Sequence, residues 1–100
     1  MIYIFDIDGT LCSGEKDYHK AKPFKERIAV VNKLYDEGHT ILLDTARGST
    51  TGIDHSKMTT LQLSRWGVKY HRLRTGVKFF GDFYIGDEAI NDKDFFSSVI

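Results

Sequence analysis

Cysteine, proline and net charge are all scarce in this sequence. Cys12 is the single cysteine among 100 residues, which excludes an intrachain disulfide and a cysteine-based zinc site and fits a reducing compartment. Pro23 is the single proline and the nine glycines are scattered. No linker or repeat divides the chain, and one domain over residues 1–100 is expected. Lys+Arg and Asp+Glu balance at 14 each, so the basic excess typical of nucleic-acid binders is missing and no nucleic-acid partner is expected. The longest apolar runs, such as residues 28–31 and 41–43, fall far short of the roughly 20 residues of a membrane-spanning helix. The opening Met-Ile-Tyr-Ile-Phe lacks the basic region of a signal peptide. No membrane contact and a cytoplasmic location are therefore expected. What remains, 41% hydrophobic and 28% charged residues, is an ordinary globular balance.

Along the chain, residues 2–5 form a short, wholly apolar run of strand formers, which reads as a strand covered on both faces. Residues 11–22 are polar and irregular and predict a loop or short hairpin. A helix is expected to start near Pro23, which suits a first helical turn. Phe24, Ile28, Val31 and Leu34 or Tyr35 supply its apolar stripe, and Gly38 stops it. Residues 40–43 predict a second buried strand, and residues 45–54 a loop of small polar residues. A second helix over residues 56–66 is expected to turn Met58, Leu61 and Trp66 inward and to end at Gly67. Residues 68–73 predict a third strand, 83–85 a fourth, and 92–99 a final helix. Strand and helix alternate as in an α/β fold: a single doubly wound, Rossmann-like parallel sheet flanked by helices. Residues 74–82 are short for a helical crossover, which usually takes about a dozen residues.

Sites in such sheets lie beyond the carboxyl ends of the strands. Three strand ends deliver polar groups there: Asp6 and Asp8 from the first, Asp44 and Thr45 from the second, Asp87 from the fourth. Asp6-Ile7-Asp8-Gly9-Thr10 directly follows a buried strand. Carboxylates two residues apart at a strand end project to one side. Gly9 permits a sharp turn whose N–H groups are free to face an anion. An EF-hand is excluded because further ligands and a closing Glu are missing. P-loop and Rossmann glycine patterns are absent.

These residues resemble a known family. Asp6-Ile7-Asp8-Gly9-Thr10 is similar to the first motif of the haloacid dehalogenase-like (HAD) phosphatases, and Thr45-Ala46-Arg47-Gly48 to the second. Lys78, nine residues before Asp87, stands where the third-motif lysine belongs, and Gly86-Asp87 with Asp92 resembles the fourth. Residues 61–68 and 82–91 further resemble the small capsule-polysaccharide-biosynthesis phosphatases of that superfamily. The resemblance implies a phosphomonoesterase acting on a small phosphorylated metabolite, such as a sugar phosphate. Asp6 is the implied nucleophile and Asp8 the acid/base; Thr45 and Lys78 bind the phosphate. The implied metal is Mg2+, held by the Asp6 and Asp87 side chains and the Asp8 backbone carbonyl. The charge count agrees: two carboxylates and a phosphate dianion total roughly −4, Lys78 offsets one, and a divalent cation brings the remainder near −1.

Only 36 residues separate Asp8 from Thr45, and 32 separate Thr45 from Lys78. Neither interval holds the core elements plus a cap, so a capless domain is expected. Its open site is then covered by residues 11–22, closed by another copy of the chain, or left open to a large substrate. Arg47 is expected either to contact substrate or to pair with Asp44 or another nearby carboxylate. His55 is a substrate-contact candidate, Asp92 a capping or supporting group, and Cys12 a packing residue. The Phe79-Phe80 and Phe95-Phe96 pairs read as core or subunit contacts. Two rival classes remain: a receiver-like signalling domain with Asp44 as phosphoacceptor, and a non-catalytic metal-binding relative.

Overall fold

The computed structural model describes residues 1–48, 52–75, 83–85 and 92–99. Four strands, Ile2–Asp6 (β1), Thr40–Thr45 (β2), Arg72–Thr75 (β3) and Phe83–Ile85 (β4), form one parallel sheet in the order β3-β2-β1-β4. Helices Lys25–Asp36 (α1), Ser56–Arg65 (α2) and Asp92–Val99 (α3) follow β1, β2 and β4 in the chain. The α/β, Rossmann-like parallel sheet flanked by helices is thus the observed architecture. Among the described residues, no helix is long and apolar enough to cross a membrane.

Register partners on parallel strands share a face of the sheet. Tyr3, Phe5, Ile41, Leu43, Leu73 and Ile85 take one face. There Phe5, Ile41, Leu43 and Ile85 pack into one cluster with Ile28 and Val31 of α1, Leu63 of α2 and Phe96 of α3. Burying each such large side chain contributes about 1.5–3 kcal/mol. Phe95 and Phe96 both meet the Phe5 ring, with centroids 5.9 and 6.1 Å away, so this pair is core. The opposite face carries buried Ile4 and Leu42. At its carboxyl end Asp6, Asp44 and Arg74 stand side by side in register.

Three expectations need correction. Pro23 precedes α1 rather than opening it, and Phe24 is the 37% exposed N-cap residue. Its ring instead lies 5.3 Å from the Arg27 guanidinium. Leu61 faces solvent at 54% exposure. The inward stripe of α2 is Thr59 and Leu63, four residues apart and so on one helix face. The third strand begins at Arg72, not residue 68. Gly67, at φ +71°, ends α2 with Val68 N–H donating to the Leu63 carbonyl at 3.1 Å, the left-handed stop that glycine favours. Asn32 of α1 then holds Gly67 O and Lys69 N–H at 2.9 and 2.8 Å. Capping and a long-range amide clamp therefore outweigh the strand preference of Val68 and Tyr70. The connection 76–82 between β3 and β4 lies outside the described residues.

His71 closes the start of the β2–β3 pair. Its backbone N–H donates to Ile41 O at 2.8 Å, and its Nδ1 accepts from Ile41 N–H at 3.0 Å. Asp92, the first residue of α3, is buried and takes 2.7 Å from Arg27 Nη1, which also reaches Thr10 O at 3.0 Å. Asp92 is thus a supporting group that fastens α3 to α1 and to the turn after β1. Removing Arg27 strands a mostly buried carboxylate. Arg27→Met is expected to lower stability by about 2 kcal/mol, somewhat less than for a fully buried pair, read as a lower urea midpoint at unchanged slope.

Candidate active site at the strand tips

Beyond β1 the chain turns sharply. Ile7 O accepts from Thr10 and Leu11 N–H at 3.2 and 2.9 Å, and Gly9 N–H donates to Cys12 O at 2.8 Å. Gly9 sits at φ +79°, where a side chain is disfavoured. Residues 11–22 then form a flap whose base is zipped by Phe24 N–H to Leu11 O and Ser13 N–H to Lys22 O, both 2.9 Å. At its tip a single turn of 3₁₀ helix, Tyr18–Lys20, is capped by Asp17 accepting from His19 N–H at 3.0 Å. This hydrogen bond and the His19 side chain hold the Asp17 carboxyl below its ordinary range.

The tips of β1 and β2 bring three of the expected residues together. Asp6 ends β1 in register with Asp44 of β2, and Thr45 follows at the end of β2. Thr45 is buried, and its hydroxyl accepts from Arg47 N–H at 3.1 Å, which leaves its own proton for another acceptor. Asp8 stands in the turn beyond β1. β4 lies on the other side of β1 and ends at Ile85, the register partner of Phe5. Lys78, Phe79, Phe80 and Asp87 lie outside the described residues.

Arg47 pairs with Asp8. Its Nε donates to Asp8 Oδ2 at 2.9 Å and its Nη2 to Asp8 Oδ1 at 2.8 Å. Nη1 donates to Thr59 Oγ1 at 3.2 Å and to Gln62 Oε1 at 2.7 Å. The guanidinium carbon stands 4.6 Å from the Tyr18 ring centroid, a cation–π distance. The Arg47 side chain is 0% exposed and that of Asp8 27%. Arg47 is therefore sealed from solvent, and of its two expected roles it takes the carboxylate pairing. Burial pushes its guanidinium down, and the hydrogen bonds and charge of Asp8 more than offset this, so the net shift is upward. Tyr18, Thr59 and Gln62 escaped the sequence reading. The available signal was the polar pair Thr59 and Gln62, three residues apart beside Leu63 on an otherwise apolar helix face.

The loop after β2 is shaped by Gly48, at φ +82°, where an added Cβ would collide with the Ile53 carbonyl. Asp54, just ahead of the N-cap residue His55, accepts from Ser56 N–H and Oγ at 2.9 and 2.6 Å. The Ser56 bonds, side chain first, lower the Asp54 carboxyl from its ordinary range. His55 packs edge-on against Tyr18 at 5.1 Å. A cavity of about 240 Å³ opens between the flap, at Lys16, Tyr18 and His19, and this loop, at Ala46, Gly48 and His55. A larger cleft of about 820 Å³ between α1 and α3 is walled by Phe24, Arg27 and Phe96. Asp6, Asp8 and Thr45 line neither; the smaller cavity holds the candidate His55 and Ala46, the residue after Thr45.

Among the described residues, no three His, Cys, Asp or Glu side chains gather to hold a metal. Arg47 occupies one lone pair on each Asp8 carboxylate oxygen, and the Asp8 backbone carbonyl is a further oxygen donor at the turn. With the Asp6 carboxylate this makes an all-oxygen set, the type that suits magnesium.

No family model matches the chain, and no curated protein matches it. Among solved structures, the crystal structure of an MCSG target from Vibrio cholerae is similar to it, with a TM-score of 0.74 and 28% identity. The match covers 97% of this chain and 89% of that one. The α/β architecture is therefore shared across nearly the whole length.

Cys12 is buried between Asp8 and Arg47, its Sγ 3.7 Å from Asp8 Oδ1. Burial first, then the Asp8 charge, push its thiol from an ordinary 9.0 up to about 12. Between those values an unfolded chain loses the thiol proton and the folded one keeps it, so this residue makes stability fall as pH rises. Cys12→Ala is expected to flatten the pH dependence of the urea midpoint above pH 9, by at most about 1.4 kcal/mol per pH unit. Folded wild type is also expected to resist thiol-specific alkylation at pH 8 until unfolded.

Proposed function

We propose that this chain is a capless, haloacid dehalogenase-like phosphatase, a phosphomonoesterase acting on a small phosphorylated metabolite such as a sugar phosphate of polysaccharide biosynthesis. One observation carries the reading: Asp6 and Thr45 end neighbouring parallel strands, Asp8 stands in the turn just beyond β1, and β4, the strand that leads to Asp87, flanks β1 directly.

In this reading an Asp6 carboxylate oxygen attacks phosphorus. An O–P bond forms, the ester P–O bond breaks, and its electron pair stays on the leaving oxygen, which takes a proton from Asp8. Asp8 then removes a proton from water as that water attacks the aspartyl-phosphate. The Asp6–phosphorus bond breaks, inorganic phosphate leaves, and both side chains are restored. Thr45 donates to a phosphate oxygen, and Lys78 offsets the negative charge of the transferring group. The Asp6 and Asp87 carboxylates and the Asp8 carbonyl would hold Mg2+. When bound, that ion reduces repulsion between an anionic nucleophile and an anionic substrate.

The flap of residues 11–22 is the proposed cover, and a second copy of the chain is the alternative lid. A cytoplasmic setting belongs to the same proposal. A light-scattering mass of one chain would remove the subunit-lid version.

A panel of phosphorylated metabolites, assayed with and without magnesium, tests the function. Phosphate release is expected to require magnesium and to fall at least about 10³-fold in Asp6→Asn, while Asp44→Asn retains much of it. The opposite ranking would favour the receiver-like reading. No release from any compound would favour the non-catalytic one.

A further inference from the structure

Arg47 is buried beyond the reach of substrate, yet it spends two of its donors on the one carboxyl group proposed to move protons. Each carboxylate oxygen has two lone pairs. Arg47 occupies one on each oxygen of Asp8, and the Cys12 thiol donates to Oδ1 at 3.7 Å. The exposed part of Asp8 is then the side turned away from the fully buried guanidinium, and the remaining lone pair of Oδ2 is able to carry or receive a proton.

The opposite edge of the guanidinium is held by α2 and by the flap. Gln62 accepts from Arg47 Nη1 at 2.7 Å and, through Nε2, donates to Tyr18 O at 2.8 Å. The Tyr18 ring covers the guanidinium plane and also lines the 240 Å³ cavity. Tyr18 thus touches the cavity on one side and the support of Asp8 on the other.

We propose that Arg47 is a positioning residue that sets the orientation of the Asp8 carboxyl group, and that Tyr18 links this orientation to the seating of the flap. The proposal rests on the phosphatase reading. Through it, a compound that presses the flap home also aligns the proton donor.

The test compares two esters in wild type, Arg47→Lys, Tyr18→Leu, Asp8→Asn and the Arg47→Lys/Asp8→Asn double variant. One ester is p-nitrophenyl phosphate, whose leaving group departs without a proton; the other is an alkyl phosphate, whose leaving group needs one. The first chemical step is followed in single turnover. Arg47→Lys is expected to slow the alkyl ester about 100-fold, within the range of a lost general acid, with KM within about 3-fold. Its effect on the nitrophenyl ester is expected to be about 10-fold smaller. Tyr18→Leu should show the same asymmetry at about 10-fold on the alkyl ester. The double variant should be no slower than Asp8→Asn, since Arg47 acts through Asp8.

Equal losses on both esters, a raised KM at unchanged kcat, or multiplied losses in the double variant would overturn the positioning role. If Arg47→Lys proves unfolded by circular dichroism, Tyr18→Leu leaves the ion pair intact and decides the question by the same comparison. Wild type inert on both esters would instead overturn the phosphatase reading on which the proposal stands. Active wild type with symmetric losses would overturn the positioning role alone.

Discussion

A guanidinium shut off from water must find acceptors for five N–H groups or destabilise the fold. At Arg47 those acceptors come from three separate pieces of chain. Asp8 lies in the turn after β1, Thr59 and Gln62 lie on α2, and the Cys12 sulfur approaches from the start of the flap at 4.0 Å. Among the described residues, no buried side-chain nitrogen or oxygen is left without a hydrogen bond. Meeting this one requirement brings the turn, the loop after β2, the second helix and the flap to fixed relative positions. Breaking such a pair costs about 3–5 kcal/mol, a large share of what a domain of this size has.

The sheet makes that arrangement affordable by separating two tasks. One face, from Tyr3 to Ile85, is given to packing against the helices. The acids sit on the other face and at its carboxyl edge, where Asp6, Asp44 and Arg74 stand in register. Strict alternation along β1 keeps Phe5 in the core while Asp6 next to it points away. Carboxylates therefore reach the strand tips without entering the main apolar cluster.

Much of this order is legible in the chain. The apolar runs of β1 and β2, the bounds of α3 and the glycine ends of α1 and α2 follow from local propensity and periodicity. So do the positions of Asp6 and Thr45 at strand ends and of Asp8 just beyond β1, because strand polarity places them there. What escaped depends on partners far away in sequence. Val68 and Tyr70 look like strand residues until Asn32, more than 30 positions earlier, claims the backbone beside them. Thr59 looks like a surface residue, and Leu61 like a core residue, until Arg47 asks for a buried acceptor on that helix face. The pairing of Arg47 with Asp8 rather than Asp44 is a matter of three-dimensional reach, which spacing in the chain does not encode. Tyr18 lies in a polar stretch with no periodicity at all.

The strand order has a kinetic consequence. Tyr3 pairs with Phe83, closing a loop of about 80 residues, one of the slower kinds of contact to form. Until β4 has been made, one edge of β1 stays unpaired. That bare backbone is a template for illegitimate pairing with other nascent chains. Rapid capture of the last strand therefore protects the folding chain from such pairing.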